Sequence, residues 1–281
     1  MRVCSVAMAR AMAVALVLAA GSWPISTPAD TAAEHLSKGE ALFAARDFSG
    51  AIHEYREAVR LKPRDPRAHF DLGLALKSKD DLDEALSEYR EAIRLEPNLA
   101  EAHVNIGSIL QAKNDLDGAI SEYREATRLK PGLALAHARL GSLLRLEQKT
   151  NEAEAELREA VRLDPSIPEA HQDLGLVLGS KRDMVGATIE LRRAVQMDPS
   201  LFEAHMGLGS ALRAAGDLKG SIAEYRAAVR VDPKSAYAHY NLGSALLVHG
   251  DRDEAAKELA EAERLNPKLK KPENRPRPTQ H

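Results

Sequence analysis

Proline recurs every 34 residues along most of this chain, and that period constrains the fold more than any other feature. Counted from Ala32, seven units of 34 residues run to Leu269 without an insertion. Each unit has glycine at its eighth position, leucine at its eleventh and alanine at its 27th. A fixed period of this length indicates a stack of similar supersecondary units, each of which buries its apolar face against its neighbours. The prolines are Pro63, Pro97, Pro131, Pro165, Pro199, Pro233 and Pro267.

Residues 66–99 show what one unit contains. Leu72 and Leu76 lie on one face of a first amphipathic helix, because they are four residues apart. Tyr89 and Ala92 lie in the same way on one face of a second helix. The recurring proline ends the second helix, since it lacks a backbone donor and clashes with the preceding turn. Each unit is therefore predicted to be a pair of helices, helix A and helix B, which cannot bury its apolar faces alone.

Aspartate precedes helix B in six of the seven units. A side-chain oxygen at this position accepts a hydrogen bond from the first backbone amides of a helix. In the second unit, Asp81 and Glu84 have the spacing of a capping box. The fourth unit has Lys149 instead. Lysine cannot accept such a bond and its charge opposes the positive end of the helix, so a weaker start of helix B is predicted there.

A 34-residue period with small residues at positions eight, 20 and 27 and proline at position 32 resembles the tetratricopeptide repeat (TPR) family. The resemblance implies an all-α fold, an α-solenoid in which antiparallel helix pairs stack into a right-handed superhelix. Because each unit contacts only its neighbours, the array is expected to form one elongated body. The resemblance also implies a protein-binding scaffold. It covers residues 32–269, with units at 32–65, 66–99, 100–133, 134–167, 168–201, 202–235 and 236–269.

Residues 1–29 precede the repeats and have the pattern of a secretory signal peptide. Arg2 and Arg10 come before an apolar run, Ala11–Ala20, and small residues follow it. The run is short of the roughly 20 apolar residues that a membrane span requires. An uncleaved signal anchor is the alternative interpretation. Cys4, the single cysteine, lies in this segment, so the rest of the chain is compatible with an oxidising compartment.

Charge is unevenly distributed along the chain. The tail, residues 270–281, is basic and contains three prolines, which predicts disorder and makes it a candidate for a weak contact with an anionic surface. The repeats from Ala32 to Pro267 contain 32 basic and 40 acidic side chains. That excess of negative charge argues against nucleic acid as the main partner.

Seven of the ten histidines occupy the fourth position of a unit. Equivalent residues of neighbouring helices lie roughly 10 Å apart, whereas a zinc ligand lies about 2 Å from its metal. A packing role between helices is therefore predicted for them. No phosphate loop, haem signature or nucleophile elbow occurs in the sequence, so no enzyme activity, cofactor or metal site is predicted. The seven are His35, His69, His103, His137, His171, His205 and His239.

The resemblance to the TPR family also implies where a ligand binds. Helices A would line a concave groove, with positions two, five, six, nine, 12 and 13 of each unit facing the ligand. The asparagines at position six resemble part of a ladder that holds peptide backbone in members of this family. Position nine lacks the asparagine of the family's carboxylate clamp, so a chaperone-type C-terminal ligand is not expected. The candidates are Phe70, Asp71, Leu74, Lys77, Val104, Asn105, Arg139, Arg145, Gln172, Asp173, Met206, Arg213, Tyr240 and Asn241.

Together these observations predict an exported protein, in the bacterial periplasm, that binds an extended segment of another protein and serves as an assembly or adaptor factor. Two alternatives stay open. If the signal is not cleaved, the array is anchored at the inner membrane through its N-terminal apolar segment and recruits partners there. If the partner is a second copy, the protein is a self-associating structural solenoid and hence a homo-oligomer.

Overall fold

A computed structural model describes residues 31–269, and within that range fourteen α-helices follow one another without a β-strand. Fourteen helices fit seven units of two, which confirms the predicted all-α solenoid. Helices A are α1 (Ala32–Ala44), α3 (Pro66–Ser78), α5 (Ala100–Ala112), α7 (Ala134–Leu146), α9 (Pro168–Ser180), α11 (Phe202–Ala214) and α13 (Ala236–His249). Helices B are α2 (Phe48–Leu61), α4 (Leu82–Leu95), α6 (Leu116–Leu129), α8 (Thr150–Leu163), α10 (Met184–Met197), α12 (Leu218–Val231) and α14 (Arg252–Leu265).

Two predicted segments, the signal at 1–29 and the basic tail at 270–281, lie outside the described residues. Within 31–269, no helix has the length and apolar character needed to cross a membrane.

A glycine at position eight of each helix A packs against a large side chain of helix B in the same unit. A Cβ atom added to Gly107 would lie 2.7 Å from the ring of Tyr123, and one added to Gly141 would lie 2.6 Å from Cγ of Leu157. Both distances are shorter than a van der Waals contact, so only glycine allows the two helices to approach this closely. The recurring glycine in the sequence therefore sets the distance between helices A and B.

The apolar core lies between the helices and continues from unit to unit. Leu72 and Leu76 belong to the core of the first three units, and Leu140 and Leu144 to that of the central units. Leu110 packs against both groups and joins them. This continuity follows from the repeat, because each helix pair completes the burial of its neighbour.

Helix B begins in two different ways, and the predicted capping box is not one of them. In the third unit the Asp115 carboxylate accepts a hydrogen bond of 3.0 Å from the amide of Gly118. Asp81 makes no such bond. The residue three positions after it is Glu84, whereas the residue three positions after Asp115 is Gly118. A Cβ atom at this position would crowd the aspartate carboxylate, since one added to Gly118 would lie 2.6 Å from Asp115 Oδ2. Glu84 instead accepts a hydrogen bond of 2.7 Å from Arg56 of the preceding unit. An ion pair between units thus replaces the cap.

The histidines at position four lie between the helices, as predicted, and link three elements. Nδ1 of each lies 2.6 or 2.7 Å from a carboxylate oxygen of a glutamate in helix B of the same unit. In five units Nε2 lies 3.0 or 3.1 Å from the carbonyl oxygen of the proline that ends the preceding unit. The pairs are His35–Glu54, His69–Glu88, His103–Glu122, His137–Glu156, His171–Glu190, His205–Glu224 and His239–Glu258.

In the sixth unit, two acceptors surround the imidazole of His205 and favour its doubly protonated form, because a neutral ring has only one donor. In the sixth unit, the hydrogen bond to Glu224 raises the pKa of His205, and the Pro199 carbonyl adds to the effect. In the part of the chain that the structure describes, no group of three or more histidine, cysteine or acidic side chains is arranged to hold a metal ion.

Candidate functional site

Helices A of the central units contact one another along one side of the array, the side that the resemblance to the TPR family predicts to be concave. Consecutive helices α7, α9 and α11 contact one another directly. Arg145 of the fourth unit also lies 3.4 Å from Glu203 of the sixth, so a side chain reaches across the intervening unit. Contact between alternate units requires that the helices A converge. We call positions two, six, nine and 13 of each helix A, which share one helix face, the inner strip.

The inner strip exposes large apolar side chains in two units, the fourth and the seventh. Leu135 is 44% exposed and Leu146 58% in α7, while Tyr237 is 62% exposed and Val248 59% in α13. In both helices the two residues lie at positions two and 13, on the same face and three turns apart. The other helices A have charged, polar or small residues there. These two units therefore offer apolar contacts that an approaching segment can cover.

Two of the predicted basic residues bridge neighbouring units. Lys77 Nζ donates a hydrogen bond of 2.9 Å to Oδ1 of Asn105 in the next unit. Arg145 Nε lies 2.9 Å from Asp173 Oδ1 in the next unit, and Ser142 donates to the other oxygen of that carboxylate. Lys77 and Arg145 are both at position 12, and their partners are both at position six. The structure thus brings these predicted residues together in pairs.

For two residues, the structure corrects the prediction that they face a ligand. Val104 is only 6% exposed and packs in the core that the central units share. Asp173 is 4% exposed, and its carboxylate is already engaged by Ser142 and Arg145. Position five of the third unit points into the core and position six of the fifth is covered by its neighbours. Neither side chain presents a surface for binding.

Several of the remaining candidates are half-buried. The ring of Phe70 lies 5.7 Å from the ring of Tyr89, centroid to centroid, so much of its surface packs on helix B. Met206 and Leu74 also pack partly against the core. Position five is therefore shared between the interior and the groove. Those half-buried are Phe70, Asp71, Leu74, Lys77, Asn105, Arg145, Gln172, Met206, Tyr240 and Asn241, and those exposed are Arg139 and Arg213.

Asp71 is in an unusual environment on the inner strip of α3. Burial raises the pKa of its carboxyl group to about 6. Its Oδ2 atom lies 3.5 Å from Arg67 Nε and accepts no hydrogen bond from the residues that the structure describes. A buried carboxyl oxygen without a hydrogen-bond donor is unfavourable, so an additional donor would stabilise it.

The sequence interpretation missed the four exposed apolar residues at positions two and 13. The resemblance implies contacts at those positions, but the predicted candidates lie at positions five, six, nine and 12. A usable signal was present, since apolar residues at both positions occur in the fourth and seventh units, while charged residues occupy position two in four of the others.

Family models match nearly all of the repeat region. A tetratricopeptide repeat model matches residues 36–100, 78–134, 99–168 and 139–202. A model described as TPR repeat matches residues 209–250, and a further tetratricopeptide repeat model matches residues 236–269. No curated protein has a matching sequence.

Solved structures with a similar fold include YrrB, MamA and PilF. YrrB, described as a TPR protein with an unusual peptide-binding site, is 26% identical, with a TM-score of 0.56 over 64% of this chain and 93% of its own. MamA is 27% identical, with a TM-score of 0.52 over 58% of this chain and 95% of its own. PilF of Pseudomonas aeruginosa, at 22% identity, shares the fold, with a TM-score of 0.64 over 74% of this chain and 96% of its own.

The fold, the repeat and the family models agree with one another. Stacked helix pairs of this kind support a protein–protein interaction scaffold. Proteins built from such repeats are in general scaffolds without catalytic activity. The chain belongs to the tetratricopeptide repeat family.

Proposed function

We propose that this protein binds an extended segment of a partner protein along the inner strip. The observation that carries the proposal is the exposure of Leu135, Leu146, Tyr237 and Val248 on the concave side, at matching positions of the fourth and seventh units. A single exposed leucine means little, because much of any protein surface is apolar. An extended peptide binds through side chains that enter apolar pockets and through a backbone that bonds to polar groups. A polar strip with an apolar residue at each end provides both kinds of contact.

Polar groups lie between the apolar residues of each strip. In α7 they are Arg139 and Ser142, and in α13 they are Asn241 and Ser244. Asparagine can both donate to and accept from a passing peptide group. The similarity to YrrB, whose description names a peptide-binding site, also supports the proposal.

We further propose that the scaffold works outside the cytoplasm as an exported assembly or adaptor factor. The supporting observations are the basic residues Arg2 and Arg10 before Ala11–Ala20 and the absence of cysteine from residues 5–281 of the sequence. Cell fractionation and the intact mass of the fractionated protein test this proposal. A shortened chain in the periplasmic fraction supports it, a full-length chain in the membrane fraction favours the anchored alternative, and a full-length cytoplasmic chain contradicts both.

Site-specific photo-crosslinking in the producing cell tests the binding face. A photoreactive amino acid is placed at Leu146 or Tyr237 on the inner strip and, as the control, at Val185 on α10, which is 74% exposed. We expect crosslinks from the two inner positions to map to one linear segment of a partner, and few from Val185. Crosslinks only from Val185 would contradict the assignment of the face. Crosslinks between two copies would instead favour the self-associating solenoid, which light scattering across concentrations would then verify.

A further inference from the structure

We propose that the groove contains a site for an acidic side chain of the bound segment, between Lys77 of the second unit and Arg139 of the fourth. This inference rests on the proposed function and specifies the chemistry of its partner. The site consists of two cations and the polar side chains of the third unit that lie between them.

The two cations have no carboxylate partner within residues 31–269. Lys77 Nζ bonds to a neutral group, the amide oxygen of Asn105, at 2.9 Å, and keeps two hydrogens for other acceptors. Arg139 is exposed on the inner strip of α7 and makes no hydrogen bond to the described part of the chain, so its guanidinium donors are all available. Burial lowers the pKa of Lys77, and the charge of Arg139 contributes, so the two cations repel each other.

Neutral side chains of the third unit come between the two cations along the array, because position 12 of one unit contacts position six of the next in the pairs Lys77–Asn105 and Arg145–Asp173. The hydroxyl group of Tyr123 donates to Oε1 of Gln111 at 3.3 Å and accepts from Ser108 at 3.2 Å. Burial raises the pKa of Tyr123, and the hydrogen bond from Ser108 and the charge of Arg139 oppose that shift. The amide nitrogen of Gln111 makes no hydrogen bond to any described residue and is a further donor. The groups left unsatisfied are therefore donors, as an anion requires.

The outer side of the array provides the contrast. There, three arginines of helix B within residues 31–269 pair with a glutamate of the next unit: Arg56 with Glu84, Arg124 with Glu152 and Arg226 with Glu254, each at 2.7 Å. These arginines join units through a carboxylate within reach. Lys77 and Arg139 have none, although the array contains more acidic than basic side chains.

The surroundings favour one carboxylate over a polyanion. The repeats carry 32 basic and 40 acidic residues, so a highly charged strand such as nucleic acid would be repelled over most of the surface. Leu135 and Leu146 flank Arg139 on its helix face, at 44% and 58% exposure. An acidic residue with apolar neighbours in an extended segment would satisfy the cations and cover the leucines together.

The test starts from short random peptides displayed on phage and selected on the full protein. Selected peptides are labelled, and their affinities are measured by fluorescence anisotropy for wild type, Lys77→Met, Arg139→Gln and Leu146→Asp. Arg90→Gln is the matched control, because Arg90 is exposed on α4, has no ion pair with any residue that the structure describes, and loses the same charge. Melting temperatures verify that each variant is folded.

We expect the selected peptides to contain aspartate or glutamate beside apolar residues. Lys77→Met and Arg139→Gln should each weaken binding by roughly tenfold or more, as loss of a charged hydrogen bond predicts. Arg90→Gln should leave the affinity unchanged, and changing the acidic residue of the peptide to its amide should have the same effect as Arg139→Gln. A peptide with lysine at that place should bind Arg139→Glu better than wild type.

Two other outcomes separate the inference from the proposed function. If binding is lost in Leu146→Asp but is unchanged in Lys77→Met and Arg139→Gln, the groove binds peptides without this site and the inference is wrong. If no selected peptide responds to Lys77→Met, Arg139→Gln or Leu146→Asp, the proposed function itself is wrong.

Discussion

The seam between helices A and B and the inner strip occupy opposite faces of the same helices, and they differ in how far they repeat. Along the seam every unit has glycine at position eight and the histidine–glutamate pair, with nearly the same distances. Along the inner strip, α7 has Leu135, Arg139, Ser142 and Leu146, and no other helix A has the same set. The comparison teaches that the repeated face specifies the fold, while the varied face is free to specify a partner.

The largest test of this difference uses two leucines six residues apart on α7. Leu140 is 1% exposed in the seam, and Leu146 is 58% exposed on the inner strip. Leu140→Ala should lower the free energy of unfolding by roughly 2–5 kcal/mol, because it leaves a cavity in the core. Leu146→Ala should change it by less than about 0.5 kcal/mol. Urea unfolding of both variants measures these free energies. Equal losses of unfolding free energy would show that the two faces do not differ in this way.

A smaller loss is expected when a seam glycine gains one methyl group. In Gly107→Ala the new Cβ atom would lie 2.7 Å from the ring of Tyr123, which is fully buried. The helices must move apart, at a cost of roughly 1–3 kcal/mol in unfolding free energy. Gly132→Ala is the control, because no atom lies within 4 Å of the added Cβ there. Similar melting temperatures for the two variants would show that the helix pair tolerates a wider spacing.

The link between His205 and Glu224 predicts a pH dependence of stability near neutrality. The Glu224 hydrogen bond raises the pKa of His205 above its ordinary value of 6.5, so the folded protein holds this proton more tightly than the unfolded chain. The stabilisation is therefore complete below pH 6.5 and is lost as the pH rises through the folded pKa. His205→Gln should remove roughly 1.5 kcal/mol of this pH-dependent stability, the contribution of one charged hydrogen bond.

Unfolding free energies measured from slightly acidic to slightly alkaline pH would detect the change in slope. His53→Gln is the control, because His53 is exposed on α2 and makes no hydrogen bond to the rest of the described chain. A slope that is the same in wild type and His205→Gln would contradict the proposed role of the link.

The smallest expected difference separates the two ways in which helix B begins. Asp115→Ala removes the bond to the Gly118 amide, whereas Asp81→Ala removes no cap bond. Both variants lose a negative charge at a helix N-terminus, so that effect cancels in the comparison. Asp115→Ala should therefore cost about 1 kcal/mol more in unfolding free energy. Hydrogen exchange at the starts of α6 and α4 would show where the stability is lost. A larger loss in Asp81→Ala than in Asp115→Ala would contradict the assignment of a cap bond to Asp115 alone.

The sequence was sufficient to predict the fold, because the fold depends on features that recur seven times. The position of Pro97 and its equivalents ended each helix B, and the glycines at position eight marked the close approach of each helix pair. The packing role of the histidines was also predictable. Their glutamate partners, 19 residues later in each unit, were not identified, although Glu54 and its equivalents recur just as regularly.

Local competition between side chains could not be predicted from the sequence. Asp81 and Glu84 fit a capping box by spacing, yet Arg56 of the preceding unit attracts the glutamate. Asp173 was a groove candidate by position, yet Arg145 and Ser142 cover it. Lys149 caps nothing, as predicted, but Asp81 makes no cap bond either, so a missing cap does not by itself single out the fourth unit.

The link from a histidine to the proline carbonyl of the preceding unit, present in five units, has a consequence for changes in the length of such chains. Because the atoms that join two units occupy positions that nearly every unit shares, removing or duplicating a block of 34 residues brings together ends that already fit. The gene can therefore lengthen or shorten the groove by recombination between its own repeats. A block of any other length would move the histidines out of line with the prolines and would break the link at the junction.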